Sequence, residues 1–317
     1  MTPPSSDSDL WSDWLLHHRH ADDPTYDRIV RSGIERFADR VLDAAQLSQG
    51  MTLADIGTGD GLVAFRAIDR IGPSLRVLLT DISCPLLRHT ETLALQRNVR
   101  DQCTFYQCPA DQLKEIPDSS VDVVTTRAVL AYVPDKSATL REFHRILKPG
   151  GRISIAEPIF QDEALKVCVL KKYIEITPPQ SRDPFLTLLH RWQSAQYPDT
   201  DEKMAKTPIT NFSERDLLRF VHVAGFSEIH LEFHIDVMPS DVTSWEVYIG
   251  TSPHPLAPSL SVIMKEQFTQ KERDFFEEKL RPTVETGQSL STDRMVYLTA
   301  KKPNSETPEM PSVPPNR

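Results

Sequence analysis

The sequence predicts an α/β fold in which a doubly wound, mostly parallel sheet is covered by helices, and three observations lead there. Short apolar runs alternate with segments of helical period between about residues 51 and 158. A glycine-dense turn, LADIGTGDGLVAF (Leu53 to Phe65), joins the first such run to the first helix and holds three of the chain's eleven glycines. Successive apolar runs are too uniformly apolar for strands with one wet face, as expected for parallel strands buried on both sides. A length of 317 residues suits one large domain with insertions.

Taken in order, residues 1–9 are polar and proline-containing and are expected to be disordered. Residues 10–48 form a helical cover: WSDWLL, a polar break at HHRHADDPTY, then a long helix whose Ile29, Ile34, Phe37, Val41 and Leu42 recur at helical spacing. Residues 49–158 are the α/β core. MTLADI is the first strand and the following helix runs from about Gly61 to Ile71. LRVLLTD is the second strand, CPLLRHTETLALQRN the second helix, CTFYQC the third strand and SVDVVTTR the fourth. KSATLREFHRILK is a helix stopped by Pro149, Gly150 and Gly151, and RISIAEP is the fifth strand. The rhythm breaks over 159–210, which is helix-leaning and rich in aromatics. It resumes over 211–301 with the helix SERDLLRFVHVAGF, capped by Ser213 and Gly225, and the alternating strand SEIHLEFHIDV. A second irregular stretch, 238–291, precedes the last strand, DRMVYLTAKK, and 302–317 reads as a disordered tail. Structureless loops of such lengths are rare in compact domains, so both stretches are expected to be helical insertions.

Composition narrows the function classes. A net charge of −9 argues against nucleic acid or an anionic membrane as a bulk partner. No apolar run reaches the length of a membrane span, and the N-terminus lacks the pattern of a signal peptide. Cys84, Cys103, Cys108 and Cys168 have no CxxC spacing and read as reduced structural thiols, so a cytoplasmic protein is expected. The His17–His20 stretch lacks the spacing of a metal pair and reads as a solvated linker, and no metal site is expected. His230 and His234 alternate with apolar residues and read as the polar face of a strand.

The glycine turn sets Asp55, Gly57, Gly59 and Gly61 at alternate positions. A nicotinamide fingerprint would need its third glycine where Leu62 stands, and a phosphate-binding loop would need a Lys-Ser/Thr pair that is absent. The spacing suits a ligand without a pyrophosphate. Asp81 closes the second strand, where an acid can accept hydrogen bonds from both ribose hydroxyls or cap the next helix. Asp111, in the Pro-Ala-Asp run after the third strand, can meet an adenine amine or serve as a surface acid. Ligands of such sheets bind outside the carboxyl ends of the strands, where all these residues fall.

Here the chain resembles the class I S-adenosylmethionine-dependent methyltransferases that act on small molecules. The matching stretches are LADIGTGDG, VLLTD, CPADQL, SVDVVTTRAVLAYV and ILKPGGRISIAEP, in the family's order from about residue 51 to 158. The resemblance implies a seven-stranded sheet with a reversed final strand, S-adenosylmethionine as cofactor, and lids in the two insertions. It implies a cofactor-binding set of Asp55, Gly57, Gly59, Asp81, Ile82, Ala110, Asp111 and Arg127, with Asp81 on the ribose and Asp111 on the adenine. Tyr132 after the fourth strand, Glu157 at the end of the fifth, and His190 in the first insertion are the candidate catalytic residues, each with a structural role as its alternative. The expected reaction is in-line methyl transfer to a small-molecule acceptor in specialised metabolism. A nicotinamide-dependent oxidoreductase and a methyltransferase-fold protein with non-methylating chemistry are the rivals. The insertions are also candidates for a homodimer interface.

Overall fold

The computed structural model describes residues 8–304, so the expectations for residues 1–7 and 305–317 lie outside the described residues. The ordered part reaches slightly further toward both termini than expected. Asp9 is the N-cap of the first helix, exchanging hydrogen bonds with Ser12 in a capping box. Lys302 extends the pairing of the last strand, its N–H reaching the Gly151 carbonyl at 2.8 Å.

The cover consists of α1 (Leu10–Leu16) and α2 (Pro24–Ala45). The core follows as β1 (Thr52–Ile56), α3 (Leu62–Ile71), β2 (Arg76–Asp81), α4 (Cys84–Gln96), β3 (Cys103–Gln107), β4 (Val121–Arg127), α5 (Lys136–Ile146) and β5 (Leu147–Pro158). The first insertion carries α6 (Gln161–Ile176), α7 (Pro184–Gln196) and α8 (Asp201–Lys206). The chain returns to the core through α9 (Glu214–Val223) and β6 (Ser227–Pro239). It leaves for α10 (Trp245–Gly250), α11 (Leu260–Gln267) and α12 (Gln270–Glu285), and closes with β7 (Leu290–Lys301).

The seven strands lie in the order β3-β2-β1-β4-β5-β7-β6. β1 to β5 are mutually parallel, and β7 runs antiparallel between β5 and β6. The strand order reverses at β1 and β4, and there the sheet leaves its ligand crevice. β5 begins earlier than the sequence suggests. Leu147 already pairs with Val121, and a bulge over Pro149–Gly151 restores the register at Arg152 opposite Val123.

Each face of the sheet buries its own core. On one side Ile56, Val124, Leu140, Phe143 and Leu217 bring α5 and α9 against the strands. On the other, Leu53, Val63, Ile68 and Val41 join α2 and α3 to them. The apolar stripe of α2 divides between two tasks: Val41 and Leu42 enter the core with Ala38 and Ala45, whereas Ile34 and Phe37 line a cavity and Ile29 is exposed. The two insertions pack on one another. Leu188 of α7, Trp245 of α10, Ile263 of α11 and Phe276 of α12 share a third core, in which Phe185 stacks on Phe276 with ring centroids 5.2 Å apart.

Candidate functional site

A cavity of about 430 Å³ opens at the carboxyl ends of β1, β2, β4 and β5, within the size range of small-molecule sites. Its floor is the glycine turn. Gly57 has a φ of +66°, a backbone conformation costly for a side chain, and a Cβ there would collide with Val129 Cγ2. The turn is tied to the next strand by Thr58 N–H donating to the Thr80 carbonyl at 2.8 Å. Asp81 completes the link: its Oδ2 accepts from Gly59 N–H and its Oδ1 from Ser83 N–H, both at 2.9 Å. These bonds leave lone pairs on both oxygens facing the cavity. Burial raises the Asp81 pKa, the two backbone donors oppose the rise, and Asp9 adds to it. Asp55 lies deeper. Burial pushes it up to about 6, although Thr58 Oγ1 and Thr125 Oγ1 donate to it at 2.8 and 2.9 Å.

Beside Asp81 the wall turns apolar. Ile82, half-exposed, faces Cys108, Pro109 and Ala110 from the end of β3, with Asp111 at the margin. Burial pushes the Cys108 thiol up to about 11, so it stays protonated and acts as wall. A carboxylate with two open acceptor positions beside a narrow apolar slot fits a ribose and a flat base. All eight residues expected around the cofactor, Asp55, Gly57, Gly59, Asp81, Ile82, Ala110, Asp111 and Arg127, line this one cavity.

The three candidate catalytic residues part company. Tyr132 lines the cavity, and burial with the nearby Glu157 charge pushes its phenol well above the usual range, so it is a neutral donor. Glu157 is fully buried and does not reach the cavity, contrary to expectation. Its oxygens accept from Val129 N–H at 3.0 Å, Ala131 N–H at 3.2 Å and Thr126 Oγ1 at 3.1 Å. Because β5 turns this side chain beneath the loop after β4, Glu157 holds the short 3-10 turn Leu130–Tyr132 and so positions Tyr132. Lys136 anchors the same loop from its far end, its buried Nζ donating to the Val133 and Pro208 carbonyls and to Asn211 Oδ1. His190 also lies away from the cavity. It faces Asp199 at 3.7 Å on the helical insertion, because α7 turns that face toward α6 and α8.

The roof differs from the expected lid. Residues 159–210 contribute Phe160 alone to the cavity wall. The cover comes from α1, whose Trp11 and Trp14 line the cavity while Leu15 Cδ2 stands 3.1 Å from where a Cβ on Gly59 would sit. Trp11 meets Tyr132 edge-on at 5.2 Å between ring centroids. Ser83 Oγ donates to Asp9 Oδ1 at 3.0 Å, and Trp14 Nε1 donates to Ser252 Oγ at 2.9 Å. One bond ties α1 to the cofactor wall and the other to the second insertion, which adds Pro253 and Pro255. Arg19, from the stretch read as a linker, is also in the wall, with Met295 of β7. No residue spacing marks these positions in the sequence; the two tryptophans three residues apart were the available signal. Among the described residues no group of three or more His, Cys, Asp or Glu side chains is arranged to hold a metal. Among the described residues no helix is long and apolar enough to cross a membrane.

The family described as methyltransferase domain matches residues 47–206, half of the chain. The chain belongs to the class I S-adenosylmethionine-dependent methyltransferases. S-adenosylmethionine is its cofactor, and the nicotinamide alternative is set aside. Nocamycin O-methyltransferase of Saccharothrix syringae is 35% identical over 131 residues, 40% of this chain and 46% of that protein. The ubiquinone/menaquinone biosynthesis C-methyltransferase UbiE of Cellvibrio japonicus is 32% identical over 130 residues, 41% of this chain and 52% of that protein. The chain thus spans about half the length of the curated relatives it matches. A solved putative sarcosine dimethylglycine methyltransferase from Galdieria sulphuraria shares the fold, with a TM-score of 0.52, 14% identity, and coverage of 93% of this chain and 99% of that one.

Proposed function

We propose that this methyltransferase moves the methyl group of S-adenosylmethionine to a small, largely apolar acceptor, as a step of specialised metabolism. The observation that carries the reading is the open carboxylate of Asp81, which faces the glycine turn at the wall of the cavity. In this reading Asp81 takes the ribose hydroxyls, Ile82 and Ala110 flank the adenine, Asp111 meets its amine, and Asp55, Gly57 and Gly59 bound the amino-acid end. The cofactor supplies a methyl already activated on a sulfonium, so the protein's work is alignment and the exclusion of water. Trp11, Trp14, Phe37 and Phe160 exclude water from the acceptor side. Tyr132 donates a hydrogen bond to the acceptor rather than removing its proton, since its phenol is held neutral. The small-molecule acceptors in the names of the two relatives support this class, one as an O-methyl and one as a C-methyl transfer.

The test is Asp81→Ala. Loss of the ribose acceptor is expected to cost roughly 1.4–2.8 kcal/mol in total, so affinity for S-adenosylhomocysteine should fall by about one to two orders of magnitude. Calorimetric titration reads the loss, with circular dichroism as the control for folding. A folded variant that binds as tightly as the parent removes Asp81 from the site. Release of labelled methyl into no product, across a panel of apolar metabolites, would favour non-methylating chemistry on the same cofactor.

A further inference from the structure

Two guanidinium groups face the cavity without a direct salt bridge among the described residues. Arg19 comes from the 3-10 turn His18–His20 that follows α1, and Arg127 from the last position of β4. Among the described residues, neither has a carboxylate oxygen within 4.0 Å. The Arg19 Nε is buried and has no hydrogen-bond partner. The nearest acid of the glycine turn, Asp60, is already paired with Arg31 at 3.6 Å. Trp14 supplies a ring face to the Arg19 guanidinium at 5.9 Å, which orients the group without neutralising it. Burial, with lesser contributions from the Arg127 and Arg31 charges, lowers the Arg19 pKa to about 10 against the opposing pull of Asp60 and Asp27. The two cations therefore sit close enough to repel, in a wall that is otherwise mostly aromatic and aliphatic.

Such an arrangement is unfavourable as it stands. A buried polar group without a partner costs free energy, and an unpaired charge costs more. The chain's net charge is −9 and the wall also holds Asp55, Asp81 and Asp111, so what singles out the two arginines is their lack of a paired carboxylate, not an excess of positive charge. The cofactor relieves only part of it. Its amino-acid end brings one carboxylate but also an ammonium, and the sulfonium adds a second positive charge. Beyond that one carboxylate, the two guanidinium groups have no paired oxyanion among the described residues.

We propose that the acceptor carries an oxyanion, a carboxylate or a phosphate, which Arg19 and Arg127 grip while its apolar body lies against Trp11, Trp14 and Phe37. The proposal rests on the methyltransferase reading and deepens it to a class of substrate. A guanidinium presents paired N–H donors matched to two oxygens of either group, which a lysine would not. An acceptor with an apolar body and an anionic end matches both parts of the wall.

The experiment titrates matched probes into the full-length protein saturated with S-adenosylhomocysteine, whose own binding is measured first. 1-Naphthaleneacetate and 1-naphthaleneacetamide have nearly the same shape and differ in charge, and phenyl phosphate tests the second oxyanion against phenol. The anion of at least one pair is expected to bind ten-fold or more tightly than its neutral partner. Arg19→Met and Arg127→Met, which keep most of the side-chain volume, are expected to abolish that discrimination. Their thermal midpoints without ligand should stay level or rise, because each removes an uncompensated cation. Equal binding of anion and neutral partner in both pairs overturns the proposal. So does discrimination that survives both substitutions. Anion preference seen only when 5′-methylthioadenosine, which lacks the amino-acid end, replaces S-adenosylhomocysteine would assign both arginines to the cofactor's carboxylate and also overturns it. If S-adenosylhomocysteine itself fails to bind, the cofactor reading fails on that measurement alone. The probe pairs are then titrated into the free protein, where the same ten-fold criterion decides the anion site.

Discussion

On the floor of the cavity, Asp81 accepts from Gly59 and Ser83, Asp55 accepts from two threonines, and Gly57 is packed under Val129. Across the roof, Trp11, Trp14 and Leu15 rest on that floor through ring contacts and van der Waals packing, and α1 is fixed by one hydrogen bond at either end. The floor is drawn from strand ends and turns within residues 55–129 and includes backbone hydrogen bonds to Asp81. The roof is assembled from chain positions more than two hundred residues apart, such as Trp14 and Ser252. Polar floors of this kind suit a ligand whose shape never changes, whereas an apolar roof on few ties can be re-cut for another acceptor. The comparison predicts that damage to the floor abolishes cofactor binding and that damage to the roof spares it.

The largest effect is expected from Gly57→Ala. The new Cβ meets Val129, and the residue must hold a φ of +66°, which costs a non-glycine residue about 1–2 kcal/mol before any clash. Val129 cannot yield easily, because its N–H is fixed by both oxygens of Glu157. Affinity for S-adenosylhomocysteine should drop by more than about a hundred-fold, equivalent to roughly 2.8 kcal/mol. Calorimetry on the folded variant measures it. Binding within ten-fold of the parent would show that the floor adapts, and the contrast with the roof would lose its basis.

Trp14→Phe tests the other half. A smaller aromatic ring is kept and the Nε1 bond to Ser252 is lost, which is worth about 0.5–1.5 kcal/mol. Cofactor affinity should change less than three-fold, while hydrogen exchange over residues 10–16 speeds up, as expected of a segment held by few bonds. Unchanged exchange, or a loss of cofactor affinity as large as that for Gly57→Ala, would merge roof and floor into one cooperative unit.

The same contrast explains what could be read in advance. The core strands, the glycine turn and the acid at the end of β2 follow from local patterns, whereas the reversed last strand and the full cofactor set were implied by the family resemblance. Local chemistry dictates the first group, so sequence spacing carries it. Glu157 and His190 were misplaced because topology tells which end of a strand or helix a residue occupies, but not which partners claim its polar atoms. Glu157 points beneath the loop to satisfy backbone amides that would otherwise be orphaned. The resemblance assigned lids to both insertions, and residues 159–210 are rich in aromatics that were candidates to line the acceptor pocket. Those aromatics instead meet α10 to α12, with Trp192 edge-on to Phe276 at 6.0 Å, and the insertions cover each other. Arg19 was hidden in a polar stretch whose histidines drew attention, and nothing in its neighbours announces a buried guanidinium.

The smallest effect separates floor from helical cap by acid. The floor carboxylates are raised by burial, Asp55 to about 6, so the folded state holds its proton more tightly than the unfolded chain, and this group's contribution weakens as pH rises from about 4 to 6. Asp199 in the cap goes the other way. Its own burial opposes the shift, but hydrogen bonds from Lys171 and Lys203 at 2.8 and 2.7 Å bring it from near 3.8 down to about 2. Its stabilisation is present above the unfolded pKa and disappears as pH falls through about 4 toward 2. Lys203 is largely exposed, so solvent screening limits the contribution to about 1 kcal/mol or less. Asp199→Asn should therefore lower the urea midpoint at pH 7 and pH 5 by similar small amounts, and the gap from the parent should narrow at pH 3.5. The difference should be unaffected by saturating S-adenosylhomocysteine, which binds the floor. A gap that stays constant down to pH 3.5 would mean that Asp199 acts through packing rather than charge. A gap that grows with the ligand bound would mean that the cap and the cofactor floor are coupled after all.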